Sequence, residues 1–397
     1  MGRDNRDDRN KIKRRKVSSS DRKPTAQTSS TSSKPRNKKN VSSKKSSGRF
    51  KGVKTVALIF LVLAVVAVAA GSGVIFASLR NTETINKAYL DKKTYQTTEI
   101  LYADGNLLAK AQTAAKKEPL NDISKISINL QHALVAAEDE RFYEHNGVDF
   151  KGLTRSIVNT VMGNQQGGST IPMQVSKLLI TSQEQSISRK IKDIYYALEM
   201  SKSVSKDDIL LTYLNNFYAG RGLYGAQAAA QGYFSVDAAR LSIGQSALLM
   251  AATNNPNKYS PYTTEKLNGT ENKEDIENKL IFYTNTTEDN LDEPTSVELQ
   301  MIDKLYSWGL IESDTYSQLK AETLVVRKAV PREAAKTKQR AILAKMLRLG
   351  YITQAEYDKA AAEPIEIKLP KSAETVVSSV EDYVYEEAVK ALMEQGY

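Results

Sequence analysis

The chain has 397 residues, no cysteine and 2 histidines, with 56 Lys+Arg against 46 Asp+Glu. That length carries two or three domains with a sizeable core. The composition excludes disulfides, thiolate chemistry, Cys-ligated metal and a His-rich metal site.

The formal charge of +10 belongs to one end. Residues 1–54 hold 19 Lys+Arg and 4 Asp, which leaves the remainder net acidic. A basic stretch rich in Ser, Thr and Asn reads as a disordered tail. Val56–Ala77 follows, 22 residues without a charge. At 1.5 Å per residue it crosses a hydrocarbon core of about 30 Å. A transmembrane helix over 55–78 is the expectation. A signal peptide fits less well, because the leader and the apolar run are both too long. The positive-inside rule places the tail in the cytoplasm, along the anionic inner leaflet rather than on nucleic acid, and the rest outside.

Asp104-Gly105, between Ile100–Ala103 and Asn106–Ala109, predicts a hairpin. From Ser127 to about Ala252 the pattern is helical. Leu130–Phe142 reads as a helix with Leu130, Leu134 and Ala137 inward and Glu138 at the stripe's edge, bracketed by Leu134 and Phe142. Such a setting suits a general base, although a charged surface cluster with Asp139 and Glu140 gives the same pattern. His145, Gly147 and Asp149 fall where that helix should end. Gly147 suits a left-handed turn, and His145 suits a helix terminus as well as a catalyst.

In Gly167–Lys177 (GGSTIPMQVSK) the glycines let backbone approach a ligand. Ser169 and Thr170 offer hydroxyl donors, and Lys177 suits a phosphate. Arg189 and Asp193, four apart in the next helix, make an ordinary ion pair or part of a site. Ser205 and Asp208 predict an N-cap, with Ile209, Leu210, Tyr213, Leu214 and Phe217 inward. Gly225–Ala230 reads as a small-residue packing face. Residues 263–300 read as an acidic insert or linker. Residues 301–397 carry a weak repeat at an offset of 41, pairing Gly309 with Gly350, Ile311 with Ile352 and Tyr316 with Tyr357. Each copy predicts a helix, a Gly C-cap and a shorter helix.

Taken in order, EDERFYEHNGVD, GGSTIPMQVSK, RKIKD, KDDILLTYLN and GAQAAAQGYF resemble the five motifs of family 51 glycosyltransferases. These are the peptidoglycan polymerases of class A penicillin-binding proteins and monofunctional transglycosylases. The likeness covers about Tyr102–Tyr262. It implies a mainly α, lysozyme-like glycosyltransferase domain over 79–262, with a membrane-facing jaw. The substrates it implies are lipid II and lipid-linked glycan, joined with inversion. It makes Glu138 the base and Asp193 a second carboxylate, where the family has Glu. Lys177, Arg189 and Lys190 fall near the diphosphate, and Ser169, Thr170 and Gln174 in the donor-site loop. Asp139, Phe142, His145, Gly147 and Asp149 support the first motif. No cofactor is required, and a divalent ion such as Mg²⁺ can bridge the diphosphate.

Met173, Leu178, Ser201 and Ser235 depart from the family pattern. Asp193, Met173 and Leu178 keep an alternative open: an impaired scaffold for cell-wall synthesis or division proteins. A hydrolase on the same fold is a third reading. No K-T-G triad occurs, so a transpeptidase site is not expected here, and the end of the chain reads as a linker to a missing one.

Overall fold

The computed structural model describes residues 48–80, 82–94, 99–101, 107–110, 116–163, 167–181, 186–285 and 293–370. Most of the basic tail, the Asp104-Gly105 turn and the linker-like end lie outside them. The chain divides into residues 1–65 and 66–397. What is described of the first unit is the opening half of helix α1, Gly48–Leu79. Within that helix, Phe60–Leu79 is long and apolar enough to cross a membrane.

The second unit is mainly helical. It opens with α2 (Lys87–Lys93), then β1 (Glu99–Leu101) and β2 (Leu107–Lys110), which pair antiparallel where the sequence places its hairpin. β3 (Lys116–Lys117) leads into α3 (Ile128–Glu138), α4 (Phe150–Val161), α5 (Ile171–Leu179), α6 (Ile187–Ser203) and α7 (Lys206–Asn216). Then come β4 (Tyr218–Gly220), β5 (Leu223–Tyr224), α8 (Ala226–Phe234), α9 (Ile243–Asn254) and α10 (Pro256–Tyr259).

α9 organises this part. A capping box, Ser242 with Gln245, starts it. Every residue from Ser246 to Ala252 is buried. A helix apolar on all sides must be enclosed, and α3 and α14 (Glu333–Arg348) pack against it. α5 packs on α6 and α7, and the predicted inward residues of α7 are all buried. The small face of α8 is buried through Ala226, Ala228, Ala229 and Ala230. Its C-cap, Ser235, is left-handed at φ 51°, and its hydroxyl donates to Lys368 O at 2.8 Å. That bond offsets part of the strain a glycine would avoid.

The described residues of the stretch read as an acidic insert or linker, 263–285 and 293–300, hold regular elements. These are β6 (Tyr262–Glu265), α11 (Lys273–Ile276) and β7 (Leu280–Thr284). α12 (Ser296–Ser307), α13 (Ser313–Lys320) and β8 (Leu324–Pro331) follow. The sheet order is β6-β8-β7, all antiparallel. A polar average over the segment hides the five-residue strand Leu-Ile-Phe-Tyr-Thr, which fits a pleated, half-buried surface.

The two repeat copies are helical hairpins as expected: α12–α13 turning at Gly309 (φ 68°), and α14–α15 (Gln354–Ala362) at Gly350 (φ 74°). They serve different cores. Met301, Ile302, Leu305 and Leu319 pack with Leu267, Ile276 and Val326 in a satellite cluster. Ile342, Leu343, Met346 and Ile352 join the main core with α3 and α9. The boundary expected after residue 262 is therefore replaced by a different division. The main core runs through Tyr262 and resumes at about Ala329, and the satellite enters and leaves on paired strands, Glu265 opposite Lys328.

This division predicts two opposite deletion outcomes. Joining Glu265 to Lys328 through an Asn-Gly turn leaves a cooperative thermal transition by circular dichroism. Stopping the chain at Arg332 abolishes it. The three buried side chains Ile342, Leu343 and Met346 then lose about 1.5–3 kcal/mol each, against a total stability of about 5–15 kcal/mol.

Candidate active site

α3 ends earlier than its periodicity suggests. Glu138 is its last residue, and Asp139 caps it in a non-helical conformation (φ −156°, ψ 75°) with its N–H on Val135 O. Phe142 is therefore not a helical neighbour of Glu138. The Asp139 carboxylate turns back into the protein, with its side chain 3% exposed. It accepts the Ile171 N–H at 3.0 Å, at the first residue of α5. His145 Nε2 lies 2.9 and 3.1 Å from its two oxygens. The N-terminus of α5 is a favourable place for that anion.

The loop between α3 and α4 is pinned at four points. Lys206 of α7 lies over the buried Phe142 ring and donates to the carbonyls of Phe142 and His145. Burial pushes its ammonium down. Gly147 has φ +90°, and an added Cβ would stand 2.2 Å from Ala197 O of α6. The Gly147 carbonyl accepts the Thr170 hydroxyl at 2.6 Å. Asp149 is gripped by Arg141 at 2.5 and 2.6 Å and accepts the Gly152 N–H at 2.9 Å. Burial pushes the Asp149 carboxyl up, but the Gly152 N–H and the Arg141 guanidinium outweigh it and hold the group below the usual range.

These contacts frame a cavity of about 610 Å³. Glu138 and Glu140 line it from the end of α3. Gly167–Thr170, Gln174 and Lys177 line it from α5 and the loop before it. Arg189, Lys190 and Asp193 line it from α6, Arg155 from α4, and Asn254, Lys338 and Lys345 from α9 and α14. Glu138 is half-buried among polar groups rather than the apolar bracket expected from spacing. Gln174 Nε2 donates to Oε2 at 2.7 Å, and the Thr253 hydroxyl reaches Oε1 at 3.3 Å. Behind them, burial and then the charge of Glu138 push the enclosed Tyr213 phenol well up, so it stays neutral.

The cations stand on α5 and α6. Lys177 is exposed at the cavity wall. Lys190 is half-buried and donates to Ser169 Oγ at 2.6 Å. Burial lowers it, and Asp193 pulls the other way. Arg189 is 4.0 Å from Asp193, and its Nε has no hydrogen bond.

Asp193 itself is 2% exposed and accepts the hydroxyls of Ser176 (3.1 Å) and Thr181 (2.8 Å). Its shorter side chain is thus matched to a closed polar niche. Thr170 differs from the sequence expectation. Its hydroxyl is buried, bonded to Gly147 and N-capping α5, whereas Ser169 keeps a proton to donate. Met173 is buried against Val148 and Ala197 and lines the cavity beside Gln174. Pro172, in the first turn of α5, suits a helix start.

Sequence patterns missed Thr253, Asn254, Arg155, Lys338 and Lys345. The only signal available was the seven-residue spacing of Lys338 and Lys345 along one helical face. Among the described residues, no group of three His, Cys, Asp or Glu could hold a metal ion.

Residues 104–280 match the family model described as Transglycosylase. Penicillin-binding protein 4 of Bacillus subtilis (strain 168) is 37% identical over 160 residues, 40% of this chain and 26% of that protein. Penicillin-binding protein 2a of Streptococcus pneumoniae (serotype 2, strain D39) is 42% identical over 142 residues, 36% and 19% of the two chains. Penicillin-binding protein 1A of Clostridium perfringens (strain 13) is 41% identical over 167 residues, 40% and 24%. Over residues 104–280 the chain is thus similar to transglycosylase domains, and its described residues are mainly helical. The chain spans about a quarter or less of the length of these relatives.

Two substitutions probe the frame. Gly147→Ala combines a left-handed backbone with a collision against Ala197 O, and is expected to cost about 2–4 kcal/mol in denaturant unfolding. Asp193→Glu overfills the Ser176–Thr181 niche and is expected to cost about 1–3 kcal/mol.

Proposed function

We propose that the domain polymerises lipid II into glycan strands on the outer face of the membrane. The observation that carries this reading is the separation of charge in one cavity. The Glu138 carboxylate projects from the end of α3, while Lys177, Arg189 and Lys190 stand on α5 and α6.

In this reading the 4-hydroxyl of the acceptor lipid II attacks the anomeric carbon of the lipid-linked glycan. Glu138 takes the hydroxyl proton as the new bond forms. The carbon–oxygen bond to the diphosphate breaks, and the departing oxygen carries the electron pair toward the cations. A single displacement needs one base and no covalent nucleophile, as in inverting glycosidases. Gln174 and Thr253 hold the carboxylate, and Asp193 holds Arg189. A divalent ion such as Mg²⁺, where bound, would accompany the diphosphate.

The same reading makes α1 the membrane anchor, with the basic tail inside and the domain outside. Its support on the domain surface is a set of exposed apolar side chains near the cavity. Phe150, Val158 and Met162 belong to α4 and the turn after it, and Ile187 opens α6. Lys151 and Arg155 stand beside them, exposed. Apolar groups flanked by cations suit contact with an anionic bilayer.

Purified full-length protein in detergent should convert lipid II into a glycan ladder on a gel. Glu138→Gln should lower the rate by about 100-fold or more. Absence of product from the unaltered protein, or equal product from both, contradicts the reading. Asp193→Glu separates it from the impaired-scaffold alternative. A damaged site gains turnover on restoring the longer carboxylate, whereas the closed niche around Asp193 predicts no gain.

A further inference from the structure

We infer that Lys345, on α14, is a positioning residue for Glu138. The inference rests on the reading of Glu138 as the base. α14 lies beyond residue 280, where the family match ends, yet it reaches the last turn of α3.

A helix leaves its final carbonyls without partners inside the helix. In α3, Val135 O is taken by the Asp139 N–H. Ala137 O, one residue before Glu138, is taken by Lys345 Nζ at 3.3 Å. The same ammonium lies 3.4 Å from Glu140 Oε1, which also receives Arg348 Nη2 at 2.7 Å. One cation of α14 thus spans both sides of the residue that carries the base. A positive charge at a helix C-terminus also offsets the helix dipole.

The ammonium is held by a fixed support. Ile342, Leu343 and Met346 of α14 are 0–2% exposed and pack in the core shared with α3 and α9. Lys345 itself remains 39% exposed at the cavity wall, so its removal leaves no buried hole. Glu138 ends α3, so its backbone is placed by the turn that Lys345 closes. Its two carboxylate contacts, Gln174 on α5 and Thr253 on α9, come from other helices. They hold only if that turn stays in place. Loosening it lets the carboxylate leave its position without altering the cations that bind the diphosphate.

The test compares Lys345→Ala and Lys345→Arg in the full chain. In lipid II polymerisation, Lys345→Ala should lower kcat about tenfold while KM stays within about twofold. Lys345→Arg should restore most of the loss. Independently of turnover, hydrogen exchange at the amides of residues 136–139 should quicken about tenfold in Lys345→Ala, with the thermal midpoint nearly unchanged. Unchanged kcat and unchanged exchange overturn the inference. So does a loss that Lys345→Arg fails to restore and that follows a fall in thermal midpoint. Full activity in Glu138→Gln removes the base reading instead, and the exchange measurement then still decides whether Lys345 holds the turn.

Discussion

The buried Asp139 carboxylate, set against the first N–H of α5 and against His145, is the contact on which the site's geometry depends. A charge taken out of water is tolerated only when paired and hydrogen-bonded. Here the partners come from two places. One is six residues ahead in the loop, and the other is 32 residues ahead, at the start of another helix. Satisfying the carboxylate therefore fixes the end of α3 relative to the beginning of α5. With that register set, Gln174, one turn into α5, meets Glu138, the residue just before Asp139. The Thr170–Gly147 bond closes the same junction from the other side, and Gly147 seats it on α6.

The second consequence is electrostatic. α6 follows α5 closely and brings Arg189 and Lys190 to the cavity wall beside Lys177. Lys190 carries its charge half-buried at a cost, which Asp193 only partly relieves. An anion with several oxygens would relieve the rest, and a diphosphate is such an anion. Glu138, the base in the proposed reading, ends α3, where its contacts are one amide and one hydroxyl. In the proposed reading, proton acceptance and leaving-group stabilisation fall to different helices.

Much of this was legible in the sequence, and the reasons differ by element. Local rules placed the two helical hairpins, because a Gly at the C-terminus of a helix declares itself through its neighbours. They also placed the strands around Asp104-Gly105 and the buried face of α7. The order of the five motifs brought Glu138, Lys177, Arg189 and Lys190 to one site, which no single helix pattern could do. Contacts between distant segments stayed hidden. Lys345 lies 208 residues from the carbonyl it caps, and nothing near either residue signals the pairing. The sequence read Thr170 as a ligand donor, because its hydroxyl is indistinguishable there from one free to bind. β7 was lost in a polar average over a long segment. Asp193 was read as a second carboxylate, shorter than the family's Glu, and nothing in its spacing signalled its two hydroxyl partners, Ser176 and Thr181.

The proposed reading puts one carboxylate at the acceptor and a group of cations at the leaving group, with no covalent intermediate. The stereochemistry of the new linkage tests that division most directly. Nuclear magnetic resonance of the polymer formed from α-linked lipid diphosphate donor should show β linkages throughout. Retained α linkages, or a glycosyl adduct trapped on Glu138, would contradict the account.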